Sequence, residues 1–402
     1  MADHFAGVYL PPVRLPDDSA VAHGANPPHQ QGVVFAQEVT MLRLSPGGLL
    51  LALQIGCLGD ALSAASVPPQ QSNMRIDNIP LFTIGDDPSE PLHRVIGAVL
   101  TGDVLIVAEE STHSLRFYDR TTGQLIRAVG QKGEGPGDYG NLDLLQAVGD
   151  RLYTFDSWHR RVTIRDSAGE VERTVRVQPW AGYNVAEVEG IFPDGSMLVS
   201  GSVFGWADRP KIQRDEHRLA RYDADGNFIG TLGKYLGYEY YDSPESKRIY
   251  PYRRETFVVV VGDKYHIVDT KDSSIPAFDI AGKPVHELPP DVPTEPTRLT
   301  RAGRDSLPDL DGIDRDDLPR YYPFYGRTRA VGDALWVPHY GGLVPGGGSA
   351  WSVYSQDGDL VGQVTASERL WVLAVDGDIV AVLTLDELGV ETVQLRRIIE
   401  QP

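Results

Sequence analysis

The side chains of this chain that could hold a metal ion or transfer a proton are histidines, carboxylates and hydroxyls. Three of the ten histidines lie within the first forty residues. The other seven form neither an H-x-x-x-H pair nor an H-E-x-x-H motif, the spacings that place zinc ligands on one helix face. No G-x-S-x-G nucleophile motif occurs, and the run Gly346–Gly348 precedes no predicted helix. We therefore predict no catalytic residue and no phosphate-binding loop.

Two short segments carry oxygen ligands that calcium or another divalent metal would accept. These candidates are Asn141, Asp143, Asn184, Glu187 and Glu189. Calcium binds carboxylate and amide oxygens, but a solvated polar rim explains the same residues equally well. The leading expectation is no cofactor, and a divalent metal at these positions is the alternative.

Tyrosine and arginine are concentrated in a few segments of this acidic chain. Both residue types are enriched at the centres of binding interfaces. We predict a ligand or partner surface from the following residues: Trp206, Arg209, Arg214, Tyr240, Tyr241, Arg253, Arg254, Tyr321, Tyr322, Tyr325 and His339. The alternative is that the tyrosines only pack long loops onto the fold. For Arg253 and Arg254, the alternative is pairing with the acidic stretch Asp309–Asp317.

Charge and composition exclude several protein classes. The chain has 402 residues and a formal net charge of −19, which leaves no basic face for nucleic acid. A single cysteine excludes a disulfide framework and a cysteine-based zinc site. No apolar run reaches the roughly 18 residues of a membrane-spanning helix. We expect a protein, a peptide or a small molecule as the ligand.

The first 75 residues are typical of an exported protein. Residues 1–40 show no periodicity, and we interpret them as an unstructured extension upstream of a start at Met41. Residues 41–57 have a basic head, an apolar middle and a small residue before Cys57, the order of a signal peptide. The segment ending at Cys57 resembles a lipobox, which predicts lipidation of Cys57 and a periplasmic or outer-membrane location. Residues 58–75 would be a flexible tether.

Residues 76–402 repeat one pattern of hairpins. A Gly-Asp or Asp-Gly turn recurs six times, with its glycines 45 to 70 residues apart. A second Asp/Gly turn follows about 20 residues later in most units. Two hairpins per unit mean four strands per unit, the pattern of a propeller blade. We predict an all-β, six-bladed β-propeller, whose ring is closed by residues 79–84 as the fourth strand of the last blade.

Several motifs are similar to those of NHL-repeat-like and TolB-like propellers of exported bacterial proteins. The loop Gly133–Tyr139 resembles the glycine-rich loop of NHL-like blades, and 152–156 with 161–166 resembles their strand pattern. The C-terminal segments 351–354 and 389–395 are similar to exported six-bladed propellers. The resemblance implies a fold, since this family includes receptors, lyases and scaffolds.

Blade topology places the long connections on one face. They are 131–142, 179–185, 203–217, 233–254, 288–327 and 340–350. Binding sites are commonly built from loops on a rigid scaffold. We therefore favour a binding or scaffold propeller of the cell envelope, with its ligand over the central channel. The alternative is a lactonase-like hydrolase or a lyase with a carboxylate-bound metal in the channel.

Overall fold

The short apolar runs of the sequence form antiparallel β-strands. The computed structural model describes residues 72–178, 180, 185–202, 207–289, 295–340 and 349–401. The predictions for residues 1–40, for the signal segment with Cys57, for Asn184 and for Trp206 lie outside these ranges. No helix in the described ranges has the length and apolarity that a membrane crossing requires.

Four-stranded antiparallel sheets follow one another along the chain. Two short strands come first: β1 (Ser72–Ile76) and β2 (Phe82–Ile84). The first sheet contains β3 (Val95–Thr101), β4 (Val104–Glu109), β5 (Ser114–Asp119) and β6 (Leu125–Val129). The second contains β7 (Leu142–Val148), β8 (Arg151–Asp156), β9 (Arg161–Asp166) and β10 (Val171–Arg176).

The third and fourth sheets repeat this order. The third contains β11 (Val185–Ile191), β12 (Met197–Ser202), β13 (Lys211–Tyr222), β14 (Phe228–Asp242) and the short β15 (Lys247–Arg248). The fourth contains β16 (Thr256–Val261), β17 (Lys264–Asp269), β18 (Ile275–Asp279) and β19 (Pro284–Leu288).

Two more strand groups complete the described chain, and β1 joins them, with β2, into one nine-stranded sheet. We call the two groups the fifth and sixth sheets. The fifth contains β20 (Arg329–Val331), β21 (Ala334–Pro338), β22 (Ser349–Ser355) and β23 (Leu360–Ala366). The sixth contains β24 (Trp371–Asp376), β25 (Ile379–Leu385) and β26 (Glu391–Glu400). Successive antiparallel sheets of four strands are the architecture of a β-propeller.

The predicted turns close the hairpins with glycines at positive φ. Gly102 (φ 52°) joins the first two strands of the first sheet, and Gly123 (φ 72°) joins the last two. The equivalent turns share this backbone conformation at Gly149, Gly169, Gly195, Gly226, Gly262, Gly282, Gly332, Gly358 and Gly377. This conformation is accessible to glycine and strained for other residues, so the turn prediction is confirmed.

The core lies between neighbouring sheets. Between the first and sixth sheets, for example, Leu105 and Val107 pack with Ala381 and Val393, all at 0% exposure. The first strands of neighbouring sheets also touch, in the series β24–β3–β7–β11–β16–β20–β24. We call β3, β7, β11, β16, β20 and β24 the inner strands.

The N-terminal strands pair with the C-terminal end of the chain. β2 runs antiparallel to β26, with Phe82 opposite Leu395. The strand predicted over 79–84 is shorter than expected, because Ile79 is 74% exposed and only Phe82–Ile84 enters the sheet. β1 begins inside the predicted tether and lies between β26 and β23, parallel to the latter.

Two of the predicted long loops are partly strands. β13 and β14 extend as one long hairpin, which converts 211–217 and 233–242 into paired strands. Arg214 lies opposite Glu239 and His217 opposite Tyr235 in this extension. The loop prediction was wrong there because polar residues on a two-stranded extension show no apolar alternation.

A small apolar cluster, which we call the cap, covers the extended hairpin. The segment 295–325 contains α1 (Arg301–Asp305) and a short 3-10 helix (Arg315–Asp317). The buried residues of the cap are Tyr241, Tyr250, Leu299, Leu307, Leu310, Leu318 and Tyr322, and the partly buried Ile212, Tyr252, Ile313 and Tyr340 pack against them. The Thr300 side chain accepts a hydrogen bond from the Gly303 N–H and so caps the start of α1.

Candidate functional site

Five charged side chains sit on or just before three of the inner strands. They are Asp143 on β7, Glu187 and Glu189 on β11, Arg327 just before β20 and Arg329 on β20. We call this group the inner-strand site.

Asp143 is held by its neighbour Asn141. The Asn141 amide nitrogen donates to both Asp143 carboxylate oxygens at 2.8 Å and lies 2.9 Å from Ser157 Oγ. The Asp143 side chain is exposed to solvent, but the many protein atoms around it reduce the hydration of its carboxylate. Burial therefore raises the pKa of Asp143, although the bonds to Ser157 and Asn141 oppose the shift.

Ala186 and Val188 of β11 are buried, whereas Glu187 is exposed and Glu189 is half-buried, so both glutamates face away from the core. Burial, with a smaller contribution from Asp143, raises the pKa of Glu187. Burial and the charge of Glu187 raise the pKa of Glu189 to about 7. The Tyr235 hydroxyl donates to Glu189 at 3.3 Å. Glu189 therefore takes up or releases a proton near neutral pH.

Arg327 and Arg329 supply the opposite charge. Neither guanidinium makes an ion pair or a hydrogen bond within the described residues. Burial and the charge of Arg327 lower the pKa of Arg329 to about 9. Attraction to Arg327 lowers the pKa of Glu189 and so partly opposes the burial effect. The inner-strand site thus contains both signs of charge without an internal ion pair.

The candidate metal ligands do not form a metal centre within the described ranges. No group of three or more histidine, cysteine, aspartate or glutamate side chains there is arranged to hold a metal ion. The charge of Asp143 raises the pKa of Glu187, and the charge of Glu187 raises the pKa of Glu189. Asn141 is already bonded to Asp143, and Asn184 lies outside the described ranges.

Most of the predicted tyrosines are buried in chain packing. Tyr240 is 4% exposed, and its hydroxyl donates to Asp215 at 2.7 Å. Tyr241 and Tyr322 belong to the cap. The Tyr325 hydroxyl donates to the Ser273 carbonyl oxygen at 2.7 Å. These contacts support the alternative in which the tyrosines pack long segments onto the sheets.

The predicted arginines have distinct partners. Arg254 donates to both Asp269 carboxylate oxygens at 2.7 and 2.9 Å, and Arg214 reaches the same carboxylate at 3.0 Å. Arg253 pairs with Glu255. The alternative pairing of Arg253 and Arg254 with Asp309–Asp317 is therefore wrong. Arg214 and Arg254 are the two predicted ligand residues that share a charged partner.

The remaining predicted residues do not bind Asp269. Arg209 and Tyr321 are exposed, and the Tyr321 carbonyl oxygen accepts a hydrogen bond from Lys271 at 2.8 Å. His339 Nε2 lies 2.6 Å from Ser352 Oγ. The role of all these residues as ligand contacts stays a prediction.

Three carboxylates missed by the sequence analysis end the second strands of their sheets. Glu109 accepts a hydrogen bond from the His93 N–H at 3.1 Å, ahead of β3. Asp156 accepts one from the Gly140 N–H at 2.9 Å, ahead of β7. Asp269 occupies the same strand position and binds Arg254 instead. The sequence signal for these residues is an acidic residue at the end of each of the three strands. Each of these carboxylates binds the chain just ahead of an inner strand and so fixes where that strand begins.

Comparisons with known proteins add structural likenesses only. A member of the DUF4221 family from Bacteroides vulgatus has a TM-score of 0.44 and 12% identity, and covers 83% of this chain and 100% of its own. The calcium-binding protein regucalcin from Agrobacterium tumefaciens has a TM-score of 0.39 and 10% identity, over 82% and 97%. The Cps50 β-propeller domain of Myceliophteria thermophila has a TM-score of 0.37 and 15% identity, over 80% and 99%.

All three TM-scores are below 0.5, so these likenesses carry no argument. No protein-family model matches the chain. No curated protein matches it. The propeller architecture rests on the strand pairings described above.

Proposed function

We propose that this protein is a binding or scaffold propeller whose ligand occupies the inner-strand site. The observation that carries the proposal is uncompensated charge, since the Arg327 and Arg329 guanidiniums have no partner within the described residues. Arg327 is exposed, but Arg329 is half-buried. An unpaired charge that is partly removed from water lowers stability, and groups with perturbed pKa values are concentrated at functional sites. A ligand that supplies the missing partners explains both features.

We further propose that the six strand groups are six blades of a closed ring, with a channel between the inner strands. The contacts of the inner strands run from β3 through β20 to β24 and back to β3. An ideal Cβ on the turn glycine Gly123 of the first sheet would lie 2.7 Å from Phe82 of β2. The equivalent turn glycines Gly226 and Gly282, in the third and fourth sheets, are also close to an outer strand of the preceding sheet, β10 and β14 respectively. This repetition supports β2 as the outer strand of the last blade. The NHL-like assignment of the blades rests on the sequence motifs alone.

Affinity selection tests the ligand site. The purified protein is equilibrated with a small-molecule extract of the cell envelope, and retained compounds are identified by mass spectrometry. We expect a compound that the wild type retains and that Glu187→Gln/Glu189→Gln retains at least tenfold less. Glu287→Gln, on an exposed position of the outer strand β19, is the matched control. Equal retention by all three proteins would contradict the site.

An enzymatic function is the second candidate, and Glu189 is the residue that favours it. A carboxyl group with a pKa near the working pH is suited to general acid–base catalysis. Lactone and ester substrates are screened with and without added calcium, and Glu189→Gln is assayed beside the wild type. Turnover that disappears in Glu189→Gln would replace the binding proposal with a hydrolase or lyase. Calorimetric titration with calcium tests the metal separately.

For the cellular location, we propose export to the periplasm or the outer membrane with a lipid anchor at Cys57. The support is the signal-like order of residues 41–57.

A further inference from the structure

A small cavity lies between the fifth and sixth sheets, beside the inner strands. Its volume is about 50 Å³, and it is lined by Arg327, Arg329, Trp336, Trp351 and Trp371, together with apolar side chains of both sheets. A single water needs roughly 10–15 Å³ on this measure. The cavity therefore has room for a small polar group in addition to water.

Both arginines of the pair line this cavity. Arg329 is the first residue of β20, and Arg327 lies two residues before the strand begins. Arg329 lies directly opposite Trp336 in the sheet. Trp371, which comes from the neighbouring sheet, lines the cavity as well, and the Arg369 guanidinium lies 5.1 Å from the centre of its ring.

The absence of partners sets this pair apart from two buried arginines of the described chain. Arg165 is 3% exposed and bonds two carbonyl oxygens, at Gly137 and Gly169, both at 2.7 Å. Arg396 is also 3% exposed and pairs with Glu368 at 2.6 Å. Arg327 and Arg329 have neither an acceptor nor a carboxylate within the described residues. Two adjacent cations of this kind attract an anion.

The surroundings determine which anion fits. A planar guanidinium matches a carboxylate through two parallel hydrogen bonds. The indole rings offer an apolar surface for the carbon attached to that carboxylate. A doubly charged phosphate monoester would be repelled more strongly by the nearby Glu187 and Glu189.

We propose that Arg327 and Arg329 bind the carboxylate of an organic ligand in the cavity between the fifth and sixth sheets. The ligand's first carbon atoms contact Trp336 and Trp371. This assignment rests on the proposed binding function and gives its ligand a chemical class: a small organic acid, or a larger molecule that presents a carboxylate.

Acetate and propionate are the probes. Acetamide and propionamide, which have a similar shape but no charge, are the control compounds. Binding is followed by tryptophan fluorescence and by melting temperature at constant ionic strength. We expect saturable binding of the acids, none of the amides, and at least a tenfold loss of affinity in Arg327→Met and in Arg329→Met. Arg301→Met, at a side chain that is 92% exposed, should bind like the wild type.

The arginine variants also report on folding. Because each removes an unpaired charge, we expect both to melt at or above the wild-type temperature without a ligand. Absence of saturable acid binding, acid binding that survives both variants, or inorganic phosphate binding tighter than acetate would each overturn the carboxylate assignment. The proposed function fails separately: if a retained envelope compound depends on Glu187 and Glu189 but not on the arginines, the binding function stands and this assignment falls.

Discussion

At the residue scale, Glu189 determines how the stability of the inner-strand site depends on pH. The folded protein raises the pKa of this group from an ordinary value of 4.5 to about 7. The unfolded chain therefore releases the proton at lower pH than the folded protein. By linkage, stability is lost as pH rises from about 4.5 through about 7.

Glu189→Gln should remove this loss. We expect the variant to exceed the wild type at pH 8 by about 1–2 kcal/mol in free energy of unfolding, a value reduced for the partial exposure of the group. The difference should vanish near pH 4.5. Urea unfolding at both pH values measures it, with Glu287→Gln as the control for the loss of one charge. A difference that does not change with pH would contradict the raised pKa.

A variant of Arg254 distinguishes a structural role of this residue from a role in ligand binding. Its side chain is 39% exposed and donates twice to Asp269, which Arg214 also contacts. We expect Arg254→Ala to lower the free energy of unfolding by about 1 kcal/mol, because the pair is partly screened by solvent. Ligand affinity should not change. A loss of affinity at constant stability would restore Arg254 to the ligand site.

At the scale of elements, turn glycines with similar backbones have different surroundings. Gly102 and Gly123 both have positive φ. An ideal Cβ on Gly102 has no heavy atom within 4 Å, whereas one on Gly123 would lie 2.7 Å from the Phe82 ring. The first turn faces open space, and the second packs against β2.

Gly123→Ala should therefore cost more stability than Gly102→Ala. We expect about 1 kcal/mol for Gly102→Ala, from backbone strain alone, and about 2–3 kcal/mol for Gly123→Ala. Thermal and urea unfolding measure both variants. Adding Phe82→Ala should reduce the extra cost of Gly123→Ala, because the two sites touch. Full additivity would show that the turn and β2 are not in contact.

At the scale of the whole molecule, closure of the ring is tested by two isoleucines of one segment. Ile84 is 6% exposed in β2, whereas Ile79 is 74% exposed. We expect Ile84→Ser to lower the free energy of unfolding by about 2–4 kcal/mol and to promote aggregation through an opened edge. Ile79→Ser should have little effect. Equal stability of both variants, or full stability after deletion of 76–86, would contradict closure through β2.

The proposed lipid anchor makes a separate prediction for the whole chain. When expressed in a bacterium, the protein should incorporate labelled palmitate and fractionate with membranes, whereas Cys57→Ser should do neither. The chain contains no other cysteine, so the variant leaves no second thiol to acylate. Unchanged fractionation of Cys57→Ser without incorporated label in the wild type would rule out the anchor.

The sequence by itself determined the all-β class and the turn positions. Turn chemistry is local, since positive φ at Gly102 or Gly123 depends on the residue and its neighbours. The four-strand repeat followed from the spacing of these turns. The carboxylates Asp143, Glu187 and Glu189 were also chosen from sequence, because their residue types are informative without knowledge of contacts.

Only the tertiary structure decided which charged residues have partners. Tyr241 and Tyr322 read as binding residues in sequence, yet the cap buries them. Arg254 donates hydrogen bonds to Asp269. Arg329 lines a cavity and has no partner within the described residues. Burial also depends on residues distant in the chain, such as Trp371 beside the arginine pair. Local patterns do not encode these contacts, because they depend on how strands pair and on how neighbouring sheets pack.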